Sequence, residues 1–471
     1  MLQSGVAGIV FAVYHVDVVQ RGDVPHHCLG YVFVGAVEAV VGLFDVHMQG
    51  GSRDFAYGKS HHLGAYEEHN SLKHALIVGE VVQHAASLVA LISSHSIVGL
   101  FAAKPVEESS DGGKIVAVGR DLQVPEGTEV FDAAGCLVTP GLVEAHCHIG
   151  IHEEAIRWEG NDTNEYSNPV TPELRAIDGI NPRCEAFRLA VRGGVTTAVT
   201  GPGSANILGG TFCAIKLAGN CVDDMIIRDP VAMKIAFGEN PKGCYGNDGK
   251  KRPVTRMAIA ATLRDTLIRA KRYAEEVAES EKDSSKRRPY DMQLEALLPV
   301  VRKEIPLKAH AHRADDILTA LRVARECDVD ITLDHVTEGH LIADKLAAAG
   351  KPVLIGPSFV SKSKYELRER TFATAGILHK AGLEVCLITD APVVPLCYLP
   401  LCAGLAVKEG LDEDEAWKAI TINPARAAGI DARVGSLEPG KDADVVIFDG
   451  NPLHDICCRT KQVFVNGAKQ L

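Results

Sequence analysis

Short apolar runs alternate with segments of helical periodicity between about residue 140 and residue 430. The apolar runs occupy residues 194–200, 231–237, 306–310, 329–335, 352–356 and 384–390. The helical segments include residues 253–280, 315–327, 338–349 and 366–381. Repeated strand–helix units with continuous apolar strands form a parallel sheet that helices cover. At this length the pattern predicts a (β/α)8 TIM-like barrel, an α/β fold whose active site lies at the C-terminal ends of the strands.

Strand-rich segments flank this barrel on both sides. Residues 113–119 and 128–132 precede it, and residues 434–449 and 462–467 follow it. Each segment combines apolar residues with Gly, Pro or Asp turns. We therefore expect a small β-sandwich domain built from residues 96–139 and 431–471, around a barrel domain spanning 140–430. Residues 1–95 stay an unassigned N-terminal extension, either an accessory segment or residues that precede the true start of the protein.

The charge and the cysteine content exclude several classes of protein. The net charge is −12, with acidic and basic residues mixed along the chain, so the basic face that nucleic acids or anionic membranes require is missing. No uninterrupted apolar run reaches membrane-spanning length, and we expect no membrane partner. The 13 cysteines are scattered without a regular framework, which indicates a reducing, cytoplasmic location.

Metal-binding residue types fall at the ends of the predicted strands. His146 and His148 are separated by one residue, so on a strand both side chains point to the same face. Further candidates end the later strands: His310, His312, His335 and Asp390. Because the C-terminal ends of barrel strands meet at one rim, these imidazoles and the carboxylate predict a metal site there.

The order of these residues, together with three further segments, resembles the amidohydrolase superfamily. The segments are residues 138–146, 421–426 and 435–444. The resemblance covers roughly residues 105–471 and is greatest to the branch that holds imidazolonepropionases and Xaa-Pro dipeptidases. The opening strand usual in that family, just before residue 113, is not evident. The resemblance implies an enzyme that uses a divalent metal to hydrolyse carbon–nitrogen bonds.

Individual roles are also implied by the resemblance. The residues that match the family's metal ligands are His146, His148, His310, His335 and Asp390. Such histidine and carboxylate donors suit Zn²⁺, as one ion or two, although other divalent metals accept them too. His312 is then a neighbour of the ligands or a residue that contacts the substrate.

The role of Lys234, on the fourth strand, distinguishes a site with one metal ion from a site with two. In binuclear relatives a lysine at this position is carboxylated and bridges two metals. An unmodified lysine facing inward would be a buried cation, which is costly. Three alternatives stay open: carboxylated Lys234 as the bridge, Glu239 as the bridge, or a single ion held without either. A lysine that points outward toward a helix is the simplest explanation of Lys234 without metal binding.

The chemistry implied is that of a metal-dependent amidohydrolase cleaving a non-peptide or dipeptide-like C–N bond. Metal-bound hydroxide attacks the carbonyl carbon, because a divalent ion lowers the pKa of water from about 15.7 toward about 7. Asp390 serves as general base and then as general acid, and His312 or His335 stabilises the oxyanion. The alternatives are a hydrolytic deaminase that releases ammonia and a non-catalytic scaffold of the same fold.

Loops that follow the strands supply candidate binding residues for a small-molecule substrate. These candidates are Arg313, Asn206 and Tyr365. Arg313 can hold a carboxylate with its two-pronged guanidinium, although a salt bridge to Asp315 or Asp316 would use the same group. We also expect a homo-oligomer, the commonest form of assembly.

Overall fold

The structure is a computed structural model, and it describes residues 98–102, 113–120, 122, 130–154, 157–247, 252–286 and 289–471. The N-terminal extension predicted at residues 1–95 lies outside this part of the chain. Within the described residues, no helix combines the length and the apolar character that crossing a membrane requires.

Strands and helices alternate through the central part of the described chain. In chain order the strands are β1 (Val98–Ala102), β2 (Ile115–Arg120), β3 (Leu137–Pro140), β4 (Leu142–Cys147), β5 (Val195–Thr200), β6 (Leu208–Lys216), β7 (Ile226–Ala236), β8 (Leu307–Ala311), β9 (Ile331–His335), β10 (Val353–Ile355), β11 (Val385–Leu387), β12 (Val445–Phe448), β13 (Thr460–Val465) and β14 (Ala468–Lys469). The α-helices are α1 (Glu185–Arg192), α2 (Val222–Met225), α3 (Glu239–Gly246), α4 (Arg256–Lys282), α5 (Met292–Glu295), α6 (Leu298–Val301), α7 (Ala314–Glu326), α8 (Ala343–Ala349), α9 (Ala373–Lys380), α10 (Leu399–Lys408), α11 (Glu413–Lys418) and α12 (Ile422–Ala427).

An eight-stranded sheet forms the barrel, with β4 to β11 in sequential order, which confirms the predicted TIM-like fold. The expectation of a wholly parallel sheet is wrong at β6, which runs antiparallel to both β5 and β7. The sequence predicts a loop at Asn206, two residues before β6. Gly210 has a φ of +109°, and a Cβ there would lie 2.4 Å from the carbonyl oxygen of Leu174. A glycine inside a strand often marks such a close backbone approach.

A separate four-stranded sheet combines residues from both ends of the described chain. β3 pairs with β12, and β13 and β14 follow, which confirms the predicted small β unit built from both ends. β1 pairs with β2 in an antiparallel ladder and is the opening strand that the sequence did not reveal. Residues 130–132 lie outside any strand, so the strand expected at 128–132 is wrong over its described part. The domain boundaries at 96–139 and 431–471 stay predictions.

A buried ion cluster joins this sheet to the barrel at the end opposite the predicted site. The Nζ atom of Lys216 lies 2.6 Å from Oδ2 of Asp444 and 3.0 Å from Oδ2 of Asp442. Asp444 also accepts a hydrogen bond from Thr196 Oγ1 at 2.9 Å, and Asp442 pairs with Arg433 at 2.9 Å. Buried charges are tolerated where they are paired in this way. The cluster therefore fixes the small sheet without touching the site.

The helices follow the predicted pattern with three changes in extent. The helix expected at 338–349 is a 3-10 turn at Gly339–Ile342, and α8 starts only at Ala343. α4 begins after Thr255, whose Oγ1 accepts a hydrogen bond from Ala258 N at 3.1 Å, and it ends at Lys282. The helix expected at 366–381 is shorter: Tyr365–Leu367 is a single 3-10 turn, and α9 starts only at Ala373. The loop between β10 and α9 is therefore long.

No backbone ladder joins the first barrel strand to the last within the described chain. Val143 N donates to Ile420 O at 2.8 Å, and Leu387 N donates to Ala419 O at 2.9 Å. Residues 419–420 thus contact both Val143, near the start of β4, and Leu387, the last residue of β11. Beyond the C-terminal ends of these two strands, His148 N donates to the carbonyl oxygen of Ala391 at 2.8 Å. We call this gap between β4 and β11 the seam.

Candidate metal centre

Four segments bring their metal-binding side chains to one rim of the barrel. β4 and the residue that follows it carry His146 and His148, β8 and its extension carry His310 and His312, β9 ends in His335, and the loop after β11 carries Asp390. Two groups have potential ligand atoms within 4.8 Å of one another: His146 with His335 and Asp390, and His310 with His312 and His335. The structure therefore brings together His146, His310, His312, His335 and Asp390. His148 belongs to neither group, although its Nε2 lies 3.1 Å from Asp390 Oδ1.

Unusual backbone conformations aim two of these side chains. His335 has a φ of 74° and Asp390 a φ of 54°, in the left-handed region that residues other than glycine rarely adopt. A regular strand would point Asp334 and His335 to opposite faces. Instead both lie beside His146, whose ring centroid is 5.0 Å from that of His335. Such strain clusters at functional sites, where the surrounding structure maintains it.

The five imidazoles are all held through Nδ1. The partner atoms are Asp334 Oδ2 for His146, Gly201 O for His148 at 2.7 Å, Ser204 Oγ for His310 at 2.8 Å, Thr337 Oγ1 for His312 at 2.8 Å and Gly356 O for His335 at 2.8 Å. This arrangement leaves Nε2 of each ring for the centre, as in metal-binding histidines generally. Burial lowers the pKa of four of these rings well below the ordinary value, which favours the neutral form that binds metals: His146, His310, His312 and His335.

Asp334 supports His146 from outside the centre. Its carboxylate contacts His146 Nδ1 and also lies 3.0 Å from Lys308 Nζ. Thr332 Oγ1 donates to the second carboxylate oxygen at 3.0 Å. A carboxylate on Nδ1 fixes the proton there and increases the basicity of Nε2. His146 is thus prepared to give its Nε2 lone pair to a cation.

Two buried polar atoms in the centre lack a hydrogen-bond partner among the described residues: Oδ1 of Asp390 and Nε2 of His335. Asp390 Oδ1 does lie 3.1 Å from His148 Nε2 and 3.5 Å from His146 Nε2, but neither contact has hydrogen-bond geometry. Buried polar atoms without partners are rare and call for an explanation. A cation among these donors would satisfy both, so the residues fit a divalent metal ion.

Lys234 faces the interior of the barrel. Its side chain is fully buried, and Nζ lies 3.2 Å from His146 Nε2. Burial lowers the pKa of Lys234 to about 8, against the opposing charges of Asp334 and Asp390. This geometry removes the alternative in which the lysine points outward toward a helix.

Glu239 occupies a different position. It is the first residue of α3, and its Oε2 accepts a hydrogen bond from Glu366 N at 3.4 Å. Within the described chain it belongs to neither group of potential ligands. Of the two candidate bridging residues, Lys234 is therefore the one in contact with a histidine of the centre.

The three candidate substrate residues have other contacts. Arg313 pairs with Asp315 at 2.9 Å, the alternative use considered for its guanidinium. Asn206 is buried: Nδ2 donates to Thr171 Oγ1 at 2.8 Å and Oδ1 accepts from Tyr245 Oη at 2.5 Å. Both ends of this amide are satisfied inside the protein.

Tyr365 is exposed, with 62% of its surface accessible. The guanidinium of Arg368 lies 4.6 Å from the centre of its ring, which is a cation–π contact. A ligand can reach this ring from solvent. The amide of Asn206 is buried and cannot be reached in this way. The roles of all three residues in substrate binding stay predictions.

Three polar residues near His310 and His312 were not predicted as a group from the sequence: Asn240, Lys364 and Glu366. Lys364 Nζ donates to Asn240 Oδ1 at 2.8 Å and lies 3.3 Å from Glu366 Oε1. Asn240 Nδ2 in turn approaches His310 Nε2 at 3.4 Å, and Glu366 Oε1 is 3.8 Å from His312 Nε2. Burial raises the pKa of Glu366. The only sequence signal for this group was its place in loops that follow barrel strands.

Glu144, two residues before His146, is also part of the centre's surroundings. It is fully buried, and burial raises its pKa to about 8 although its hydrogen bonds oppose the shift. Its Oε1 accepts from His146 N at 2.9 Å. Its Oε2 accepts from Thr389 N at 2.8 Å and from Thr389 Oγ1 at 2.7 Å.

Comparison with known proteins places this geometry in a wider group. Residues 137–470 match the amidohydrolase family. The amidohydrolase tasK of Hapsidospora irregularis is 30% identical over 375 residues, which cover 74% of this chain but only 38% of that longer protein. An imidazolonepropionase of Rhizorhabdus wittichii is 26% identical over 347 residues, covering 69% of this chain and 82% of the relative.

A solved structure shares both sequence and fold with the chain. It is an amidohydrolase from Thermotoga maritima MSB8, with 38% sequence identity and a TM-score of 0.74. The similarity covers 78% of this chain and 94% of the other. The fold is therefore shared over nearly the whole of that protein.

Proposed function

Since the chain belongs to the amidohydrolase family, in its imidazolonepropionase-like branch, and is a hydrolase of carbon–nitrogen bonds, we propose that it cleaves a non-peptide amide of a small molecule with the help of bound divalent metal. A cyclic amide is the first candidate substrate, because relatives over most of the chain carry the name imidazolonepropionase. Zn²⁺ is the metal we propose, since the candidate ligands are imidazoles and one carboxylate.

The observation that carries the proposal is the pair of buried atoms that have no hydrogen-bond partner among the described residues, Asp390 Oδ1 and His335 Nε2, beside imidazoles held through Nδ1. When bound there, a divalent cation supplies Lewis acidity and makes water nucleophilic near neutral pH. The chain's own residues then have three tasks: they hold the cation, move a proton and stabilise the charge that develops on the substrate oxygen.

Hydrogen bonds at Nδ1 divide the histidines between the first and third tasks. A backbone carbonyl accepts from Nδ1 of His148 and of His335, so the proton sits on Nδ1 and Nε2 is a lone pair. The same holds for His146, whose Nδ1 faces a carboxylate. An Nε2 lone pair can bind a metal but cannot donate a hydrogen bond.

His312 differs from these three because its Nδ1 contacts the hydroxyl of Thr337 at 2.8 Å. The hydroxyl of Ser204 contacts Nδ1 of His310 in the same way. A hydroxyl can donate as well as accept, so His312 can keep its proton on Nε2. That N–H is available to the oxyanion that forms when water adds to the amide. Of His312 and His335, we therefore assign the oxyanion role to His312 and a ligand role to His335.

Asp390 is the residue we assign to proton transfer. Its Oδ1 atom is buried at the centre, 3.1 Å from His148 Nε2, and 14% of the whole side chain is accessible. It takes the proton from the attacking water and delivers it to the departing nitrogen. The C–N bond breaks with one proton gained by nitrogen and one oxygen gained by carbon.

Lys234 is proposed to be carboxylated and to bridge two ions. Its lowered pKa, about 8, leaves a larger fraction of neutral amine at pH 7 than an ordinary lysine has. Carboxylation would replace a buried cation with an anionic ligand beside His146 and remove an unfavourable burial. His146, His148 and Asp390 would then hold one ion, and His310 with His335 the other.

The test combines elemental analysis with a panel of substrates. The purified protein should carry about two divalent ions per chain and hydrolyse cyclic amides, with activity lost in Asp390→Asn. Cleavage of amidines with ammonia release, and no cleavage of amides, would replace the proposal with deamination. A wild-type protein that binds no divalent ion would contradict it altogether.

A further inference from the structure

The catalytic carboxylate and two of the candidate ligands lie on opposite sides of the seam. His146 and His148 belong to β4 and its extension, whereas Asp390 follows β11. Elsewhere in the barrel, backbone ladders fix each strand against its neighbour. Across the seam the described chain has no such ladder, yet Asp390 Oδ1 must stay close to His146 and His148 for all three to bind one ion.

Glu144 bridges the seam at the level of the site. One carboxylate oxygen accepts from the backbone N–H of His146, at 2.9 Å. The other accepts from both the backbone N–H and the hydroxyl of Thr389, at 2.8 Å and 2.7 Å. His146 is a proposed metal ligand on β4. Thr389 directly precedes Asp390 in the segment that follows β11.

We propose that Glu144 is a positioning residue: its carboxylate clamps β4 to the Thr389–Asp390 segment and so sets the position of Asp390 relative to His146 and His148. This role rests on the metal-dependent hydrolysis proposed above. Glu144 touches neither substrate nor ion and acts through the residues it holds.

The chemistry of the contacts explains why a glutamate suits this place. All three partner groups are donors, and their hydrogen bonds favour the ionised form of Glu144 against the burial that raises its pKa to about 8. A carboxylate accepts at both oxygens. Glutamine would turn an N–H₂ group toward one of those donors, and the resulting clash of donors would open one side of the clamp. Aspartate is shorter by one methylene and cannot reach both His146 N and Thr389 N from the same backbone position.

The test measures metal binding in Glu144→Gln and Glu144→Asp. Competition with a chelator gives the Zn²⁺ affinity, and the visible spectrum of the Co²⁺-loaded protein reports the geometry of the ligands. We expect both variants to lose about tenfold to about a hundredfold in affinity, the usual cost of disturbing groups that orient ligands, and to change the Co²⁺ spectrum. Thr389→Val, which removes only the hydroxyl bond, should lose less, and Thr389→Ser should restore the wild-type value.

Asp444→Asn is the matched control, because Asp444 is a buried carboxylate of the barrel-to-sheet cluster whose side chain bonds Lys216, Thr196 and Asn466 rather than a candidate ligand. It should lower the melting temperature of the metal-free protein and leave Zn²⁺ affinity unchanged. A Glu144→Gln and Thr389→Val double variant should lose less affinity than the sum of its parts, since both remove one clamp.

Three outcomes would overturn the inference. First, the Glu144 variants could bind Zn²⁺ with wild-type affinity. Second, their loss of Zn²⁺ affinity could merely follow a lower melting temperature, which Asp444→Asn also shows. Third, the affinity losses of the two single variants could add up in the double variant. If the Glu144 variants fail to fold, the difference in Zn²⁺ affinity between Thr389→Val and Thr389→Ser alone tests the inference. A wild-type protein without bound metal would instead refute the proposed function itself, and the inference with it.

Discussion

Lys234 Nζ lies 3.2 Å from Nε2 of His146 in the interior of the barrel. The lysine is fully buried there, and the same imidazole nitrogen is the one that a metal ion would use. An ammonium and a metal ion cannot share one lone pair. In the proposed two-ion site the lysine changes its chemical state when the ions bind, so its carboxylation is the first property to measure.

Metal uptake by the stripped protein should depend on bicarbonate and on pH. The neutral amine of Lys234 attacks CO₂, forms an N–C bond and releases a proton. Because its pKa is lowered to about 8, the neutral fraction rises as the pH rises from 6 toward about 8. We expect the number of ions per chain after reconstitution to rise over that range when bicarbonate is present.

Lys234→Met is the control for this experiment. It should bind about one ion per chain at every pH and show no response to bicarbonate. A wild-type protein that loads two ions without CO₂ would contradict carboxylation.

Asp334→Asn should weaken metal binding through His146. The amide still offers an oxygen to His146 Nδ1 but loses the charge that increases the basicity of Nε2. We expect an affinity loss of about tenfold to about a hundredfold, measured by competition with a chelator. Thr332→Val, which removes one hydrogen bond to the same carboxylate, should have a smaller effect in the same direction.

The metal-free protein should lose stability in mild acid. Burial lowers the pKa of His310 and His335 in the folded state well below the ordinary value of 6.5. As the pH falls below 6.5, the unfolded chain binds protons that the folded chain refuses, so the free energy of unfolding falls with pH. Each such group contributes up to about 1.4 kcal/mol per pH unit.

Urea unfolding between pH 7.5 and about 5 measures this slope. His335→Asn should reduce the dependence of the free energy of unfolding on pH by the contribution of one histidine, because asparagine does not titrate. An equal slope in wild type and variant would show that His335 is not a source of the acid sensitivity.

Thr337→Val should lower the rate of the chemical step without releasing metal. The valine cannot donate to His312 Nδ1, so His312 is free to move its proton away from Nε2. Loss of an oxyanion donor costs about 10²-fold or more in kcat, and we expect a loss up to that size with the metal content unchanged. Thr337→Ser keeps a hydroxyl and should keep kcat, whereas a change confined to KM would argue against the oxyanion role.

The fold and the candidate ligands could be predicted because they follow simple periodicities. Strand alternation puts His146 beside His148 and His310 beside His312, and strand ends meet at one rim. The same alternation, applied two residues earlier, would have revealed Lys308 before His310.

Other features could not be obtained from local patterns. The position of His335 depends on a φ of 74°, which no residue type in that segment demands. Asn206 looked available for substrate because it lies in a polar loop, but Thr171 and Tyr245 close around it from distant parts of the chain. Such contacts depend on tertiary packing, which propensities and spacings do not encode.

The reversed direction of β6 restricts where this enzyme can vary its choice of substrate. A parallel strand would have added a further loop at the rim, open to insertion and change. Instead, the short connection from β5 into β6 supplies Gly201 O and Ser204 Oγ, which hold His148 and His310. The connection between β5 and β6 therefore already serves to orient candidate ligands. New specificities are expected to arise across from it, in the long excursion between β10 and α9.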